Sequence, residues 1–292
     1  MRAALVGVVA LAAPATAAAQ DPAVVPIVTR LPASVRSAAL GGAGVALTGY
    51  AGAVFDNPSA VAPLRVTTVE LAWSDYAAGA GQGMGAASLR VGPLTLAGGA
   101  QYLRFADTAR VKDNLSWVAA LVYRGGLGAL GADVRYVSVE DTAGQINRAL
   151  TTDAGVTFAF FDIAALAVAV QGIGTLRASG RRLDLPLVTR LGFTLNLVDP
   201  LGVPRLLGTI ESIWTEGDEH RWAGGLEGGL VSPGGFGLLG RIGVAEVPAE
   251  SGLSSLSAGA GFVFPGFRLD YAYQRRNVFG VPVHRLGLRF SP

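Results

Sequence analysis

Charged residues spaced through otherwise oily segments are the part of this sequence with chemistry to offer. Glu70, Asp133, Arg135, Arg190, Glu211, Glu227, Arg241, Arg268, Asp270, Arg285 and Arg289 each fall on the polar side of an apolar/polar alternation. If those positions share an enclosed interior, the carboxylates and guanidiniums must pair with one another, with backbone or with water. An unpaired charge in low dielectric is too costly to leave alone. A guanidinium left over from such pairing would attract a carboxylate headgroup through its planar fork of donors. Arg268, Arg285 and Arg289, on neighbouring segments near the C-terminus, are the candidates for that role.

The inventory for catalysis is short. There is no cysteine, and the two histidines, His220 and His284, lie near segment ends. A metal site of ordinary type or a Ser-His-Asp triad has few ways to assemble from them. No catalytic residue, metal or cofactor is therefore expected, and the chain reads as non-enzymatic. Gly126-Leu127-Gly128-Ala129-Leu130-Gly131 matches the dinucleotide fingerprint in form, but it crosses a hairpin instead of opening a helix. In a chain with 41 glycines, chance accounts for it.

What must position the charges is a series of strands. From Arg65 onward the chain falls into segments of about 10 to 14 residues with period-two alternation, broken by Gly, Pro, Asp or Asn. Fourteen such segments fit between residues 66 and 290. Over 127–139, Leu130, Ala132, Val134 and Tyr136 oppose Gly131, Asp133 and Arg135; over 267–276, Phe267, Leu269, Tyr271 and Tyr273 oppose Arg268, Asp270, Ala272 and Gln274. Tight connections such as Gly92-Pro93, Gly125-Gly126 and Pro265-Gly266 alternate with longer ones such as 106–113, 140–147 and 178–184. That is the asymmetry of a membrane barrel with short turns on one side. Trp73, Tyr76, Tyr102, Trp117, Tyr123, Trp214, Trp222, Tyr271 and Phe290 sit near strand ends, where amphipathic rings meet a membrane interface. The expected fold is all-β, a 14-stranded antiparallel transmembrane β-barrel over 66–292.

Composition excludes several alternatives. After residue 20 no apolar run reaches the roughly 18 residues that a spanning helix needs. A formal net charge of +2 is too slight a bias to suggest a nucleic-acid partner. At the N-terminus, Arg2, the apolar run 3–13 and the small residues Ala17 and Ala19 form a signal peptide over 1–19.

Between export signal and barrel lies a segment, 20–65, that is rich in small residues. Within Ser34 to Leu64, the run Gly41, Gly42, Ala43 and Gly44 suits a strand threaded close to other walls. Asn57 then caps a short helical turn with Pro58 at its first position. The pattern Arg36-Ser37-Ala38-Ala39-Leu40-Gly41-Gly42-Ala43-Gly44-Val45-Ala46, followed by Asn57-Pro58-Ser59-Ala60, resembles the N-terminal motif of PorV/PorQ-type outer-membrane proteins, relatives of the FadL channel for long-chain fatty acids. The acidic residues usual between the two halves of that motif give way here to Thr48, Gly49 and Tyr50, leaving Asp56. The resemblance implies an N-terminal plug or hatch, carried by Arg36, Gly41, Gly42, Gly44, Asn57 and Pro58, inside a barrel in the outer membrane of a diderm bacterium. It implies passage of small hydrophobic or amphipathic compounds, or alternatively a docking role with secretion-system proteins. Outer-membrane lipid and, during biogenesis, the barrel-assembly machinery are the expected partners, with a hydrophobic small molecule as ligand.

Overall fold

The computed structural model describes residues 26–292, apart from 65–66, 77–78, 106–112, 141–143, 161–162, 179–180, 199–202, 219, 248–253, 276 and 278. The expected signal peptide lies outside the described residues, as does the beginning of the 20–65 segment. The elements in chain order are α1 (Ile27–Arg30), α2 (Val35–Ala39), 3-10 turns at Ala51–Phe55 and Pro58–Val61, then β1 (Thr68–Tyr76), β2 (Ala80–Val91), β3 (Leu94–Arg104), β4 (Asp113–Gly125), β5 (Gly128–Glu140), β6 (Ile146–Phe160), β7 (Ala164–Ala178), β8 (Arg181–Asp184), β9 (Val188–Asn196), β10 (Pro204–Thr215), β11 (Arg221–Val231), β12 (Gly237–Ala245), β13 (Leu256–Phe264), β14 (Phe267–Gln274) and β15 (Val283–Phe290).

Every neighbouring pair is antiparallel, and β1 pairs with β15 over Val69↔Phe290 to Tyr76↔Val283, which closes the sheet on itself. Closure matters because lipid offers no partner for a free strand edge. Fourteen long strands make the cylinder; β8 is a short addition that pairs only with the outer end of β7. The connection expected at 178–184 therefore contains a strand, because β7 outreaches β9, whose ladder with it ends at Gln171↔Val188. Between β6 and β7 the register shifts at Thr152/Ala154, a bulge that coincides with Gly172 at φ 83°.

Alternation has the consequence the sequence implies. On β15, His284, Leu286, Leu288 and Phe290 are exposed while Val283, Arg285, Gly287 and Arg289 are buried. In the middle of the strands the described outward positions carry no charged residue; Asp75, Arg104, Glu140 and Arg148 occupy that face only at strand ends. Trp73, Tyr102, Trp117, Tyr123, Trp214, Trp222, Tyr271 and Phe290 all project outward. Tyr76 is the exception. It is fully buried, because its strand parity turns it into the lumen beside Val283 and Gln82.

Residues 26–64 lie inside this cylinder, touching the inner wall on all sides. Helix α2 rests on β12 to β15, and the two 3-10 turns rest on β1 to β6. The glycine-rich stretch is not the strand anticipated. Ser34 caps α2 by accepting from Arg36 N–H at 3.3 Å, the alanines continue the turn, and Gly42 N–H closes it on Ser37 O at 2.8 Å with Gly41 and Gly42 at positive φ. Wall glycines make the fit. A Cβ on Gly131 of β5 would stand 2.6 Å from Ser59 N, and one on Gly259 of β13 2.6 Å from Ala39 Cβ.

If the exterior meets hydrocarbon, Leu71→Arg in mid-β1 should destabilise the folded barrel by about 2–4 kcal/mol, whereas Leu71→Phe should be near neutral. Urea midpoints of the two variants refolded into liposomes check this.

Candidate functional site

The lumen is organised by carboxylates of the wall, three of which, Glu227, Glu211 and Glu70, accept from the inner segment. Glu227 on β11 receives Arg36 of α2 in a two-pronged pair, Nε at 3.1 Å and Nη2 at 2.9 Å. It also accepts from Arg241 of β12 and from Arg268 of β14 at 3.1 Å. Asp270 completes the cluster, accepting from Arg241 Nη2 at 2.8 Å and Arg268 Nε at 2.9 Å. Three guanidiniums thus share two carboxylates, and Arg36 is the one the inner segment supplies.

A second anchorage forms on Glu211 of β10. Its Oε2 accepts the backbone N–H groups of Gly44 and Val45 at 2.7 and 2.9 Å, and its Oε1 accepts from Arg190 of β9. Arg190 continues to Asp56 at 3.0 Å and to Gly42 O at 3.2 Å. The third anchorage is Glu70 of β1, which accepts Ser34 Oγ at 2.6 Å and Gly52 N–H at 3.1 Å, with Arg289 Nε 3.8 Å away. Arg289 also donates to Gly49 O at 3.3 Å. Here the tight glycine backbone serves its purpose: a Cβ on Gly44 would collide with the Asp56 carboxylate.

Opposite these, Arg135 of β5 donates to Phe55 O at 3.0 Å and pairs with Asp153 of β6 at 2.7 Å. Asp133 accepts Asp153 N–H at 3.3 Å, and Gln171 of β7 donates to Phe55 O and Asp56 O. Asn57 Oδ1 caps Ser59 N–H at 3.0 Å while its Nδ2 reaches Val45 O and Thr157 of β6, so one side chain ties the 3-10 turn both to the glycine stretch and to the wall. Pro58 opens that turn.

Electrostatics follow from burial. Tyr50 lies between the guanidiniums of Arg36 and Arg289, 5.8 and 5.4 Å from its ring centroid. Burial, and then the nearby Asp56 carboxylate, push its phenol well above the ordinary range. For Arg36, burial by itself would lower the pKa, but the Glu227 carboxylate outweighs it and the guanidinium titrates above its usual value.

All the charged positions singled out in the sequence face inward, and all but one of the arginines join a carboxylate. Arg268 and Arg289, considered for an external anion, are ion-paired to residues of this chain. Arg285 is not joined to any carboxylate among the described residues. Sequence reasoning missed Ser34, Tyr50, Asp153, Thr157 and Gln171. Asp153 and Thr157 were readable as inward positions by alternation with exposed Phe158; Ser34 and Tyr50 had no periodic signal. The histidines stay on the exterior, His220 within 2.6 Å of Ser212 and His284 within 2.8 Å of Tyr271. Gly126 of the GxGxxG match sits in the β4–β5 hairpin turn at φ 59°.

A closed barrel with an apolar exterior and a charged lumen occupied by its own N-terminal segment defines a membrane-type β-barrel. No family model matches the chain, and no curated protein matches it in sequence. Solved structures do match it in fold. The toluene transporter TbuX of Ralstonia pickettii aligns with a TM-score of 0.58 at 12% identity, over 89% of this chain and 97% of that one. A FadL homologue of Pseudomonas aeruginosa aligns at 0.57 and 12% identity, over 87% and 97% of the two chains. The toluene transporter TodX of P. putida aligns at 0.54 and 11% identity, over 87% and 95%. At these identities the likeness is one of architecture.

Glu227→Gln should leave Arg36 without a carboxylate and Arg241 and Arg268 with Asp270 alone, and cost about 3–5 kcal/mol, as expected for breaking a buried ion cluster from one side. Adding Arg36→Gln should recover part of that loss. Urea titration of the two single variants and the double variant completes the cycle.

Proposed function

We propose that the protein is an outer-membrane channel of a diderm bacterium, exported by its signal peptide, that passes small hydrophobic or amphipathic compounds, with residues 26–64 as a plug in its lumen. The observation that carries this reading is the inner segment itself, fastened to Glu70, Glu211 and Glu227 inside a lipid-facing cylinder. A lumen so filled does not suit an open aqueous pore. Where the long connections gather, the interior is instead apolar: Val28 and Leu31 of the segment pack with Tyr76, Leu103, Val137 and Val283 of the wall. By the usual asymmetry of such barrels that rim is external, so a hydrophobic solute arriving from outside meets a matching surface first. Fold likeness to two toluene transporters supports the same reading.

Full-length protein reconstituted in liposomes should accelerate entry of a small apolar probe such as toluene while passing little ionic current. Combining Arg36→Ala with Glu211→Ala unfastens two anchorages and should raise the current several-fold. If neither form changes toluene entry, the channel reading fails.

A further inference from the structure

Arg285 differs from every other lumenal arginine described above. Arg36, Arg135, Arg190, Arg241, Arg268 and Arg289 each hold a carboxylate of this chain. Arg285, on β15, is 3% exposed, has no carboxylate partner among the described residues, and leaves its Nε without an acceptor. Its guanidinium lies over the ring of Tyr76, 5.6 Å from the centroid. A ring face softens the loss of water around a cation without neutralising it.

The neighbouring wall carries a further buried donor without an acceptor. Ser74 of β1 faces Arg285 across one ladder and Gln82 of β2 across the other, so these two inward side chains flank it. Tyr76 donates to Gln82 Oε1 at 2.8 Å, which leaves Gln82 Nε2 unpartnered. Asn277, in the connection between β14 and β15, accepts Phe279 N–H at 2.7 Å with Oδ1. Because a backbone N–H can only donate, the unpartnered end of that amide must be Nδ2. Amide donors of Gln82 and Asn277 are thus buried without acceptors on elements that gather around Tyr76, whose ring the Arg285 guanidinium overlies. Native structures seldom leave such groups unmet, and these lack what a carboxylate supplies, about four lone-pair sites on one small anion.

Around them the surface is aromatic. Phe279 meets Tyr76 edge to face at 5.1 Å and Phe105 at 5.8 Å, with Val28, Leu31, Leu103 and Val283 completing the cluster. Rings already arranged edge to face offer a further ring its preferred contacts, which an alkyl chain does not use.

We propose that Arg285, Gln82 and Asn277, backed by Tyr76, Phe105 and Phe279, form an anion-selective subsite at the long-loop end of the lumen that takes the carboxylate of a small aromatic acid. This rests on the reading that the lumen passes small amphipathic compounds, and narrows it from neutral solutes to aromatic carboxylates.

Calorimetric titration of the full-length, detergent-folded protein with benzoate, benzyl alcohol and hexanoate tests the subsite. Benzoate should bind tightest of the three. Arg285→Gln should weaken benzoate roughly tenfold or more, the scale of one lost charge-assisted contact, while leaving benzyl alcohol within about twofold. Gln82→Leu, which keeps the guanidinium, should weaken benzoate a few-fold. In the unaltered protein, the preference for benzoate over benzyl alcohol should vanish once the acid is protonated, a readout that does not depend on either variant folding. Equal binding of benzoate and benzyl alcohol, indifference of benzoate to Arg285→Gln in folded protein, a preference for hexanoate, or a preference that survives protonation overturns the subsite. If liposome entry of toluene persists in that case, the channel reading stands; if entry is also absent, both fall.

Discussion

A fourteen-stranded cylinder is too wide for its own inward side chains to fill, and this one sets carboxylates on its inner wall. Those carboxylates must be matched, and the inner segment matches three of them. Glu227 takes a guanidinium, Glu211 takes two successive backbone N–H groups, and Glu70 takes a hydroxyl and a further N–H. The chemistry differs at each anchorage, but the cause is shared: a buried anion without donors is far more costly than the order imposed on the segment that supplies them. The position of residues 26–64 is therefore a consequence of the charges on the wall.

Shape makes those contacts reachable. Gly131 and Gly259 lie where Ser59 and Ala39 press against the strands, so backbone approaches backbone and short polar reaches suffice. The fastening near the long-loop rim is apolar, where Val28 and Leu31 meet Leu103 and Val283, whereas deeper in the polar anchorages stand beside a larger apolar contact of Leu47, Val54 and Phe55 with Met84, Val118 and Val122. A buried polar contact holds only while its partner stays in place, so releasing one anchorage strands the carboxylate that held it. The segment is thereby held as a unit through Arg36, Asn57 and the Gly44–Val45 backbone, not by any one of them.

Those two zones also divide the functional chemistry. Near the long-loop rim, rings and aliphatic side chains surround the Arg285 guanidinium, which has no carboxylate partner among the described residues; deeper in, Arg36, Arg135, Arg190, Arg241, Arg268 and Arg289 are each committed to an internal carboxylate. A solute with an apolar body finds its complement in the first zone.

Much of this architecture was legible residue by residue. Period two over 127–139 put Asp133 and Arg135 on one face and Leu130 and Val134 on the other, and the structure places the first pair inside and the second outside. Asn57-Pro58 announced a capped turn because capping is local chemistry within three residues. The glycine run was misread as a strand: small residues permit both an extended path and a helix with a left-handed end, and Ser34 with the alanines after it tipped the balance. Tyr76 was misplaced because nearness to a strand end does not say which face a residue takes. What only the tertiary structure decided is who partners whom. Arg36 and Glu227 stand 191 residues apart, and which of Arg268, Arg285 and Arg289 is left without a carboxylate depends on strand adjacency and on where the inner segment ends up. Alternation is a property of neighbouring residues and so is written along the chain; pairing across a closed lumen exists only once the cylinder has formed.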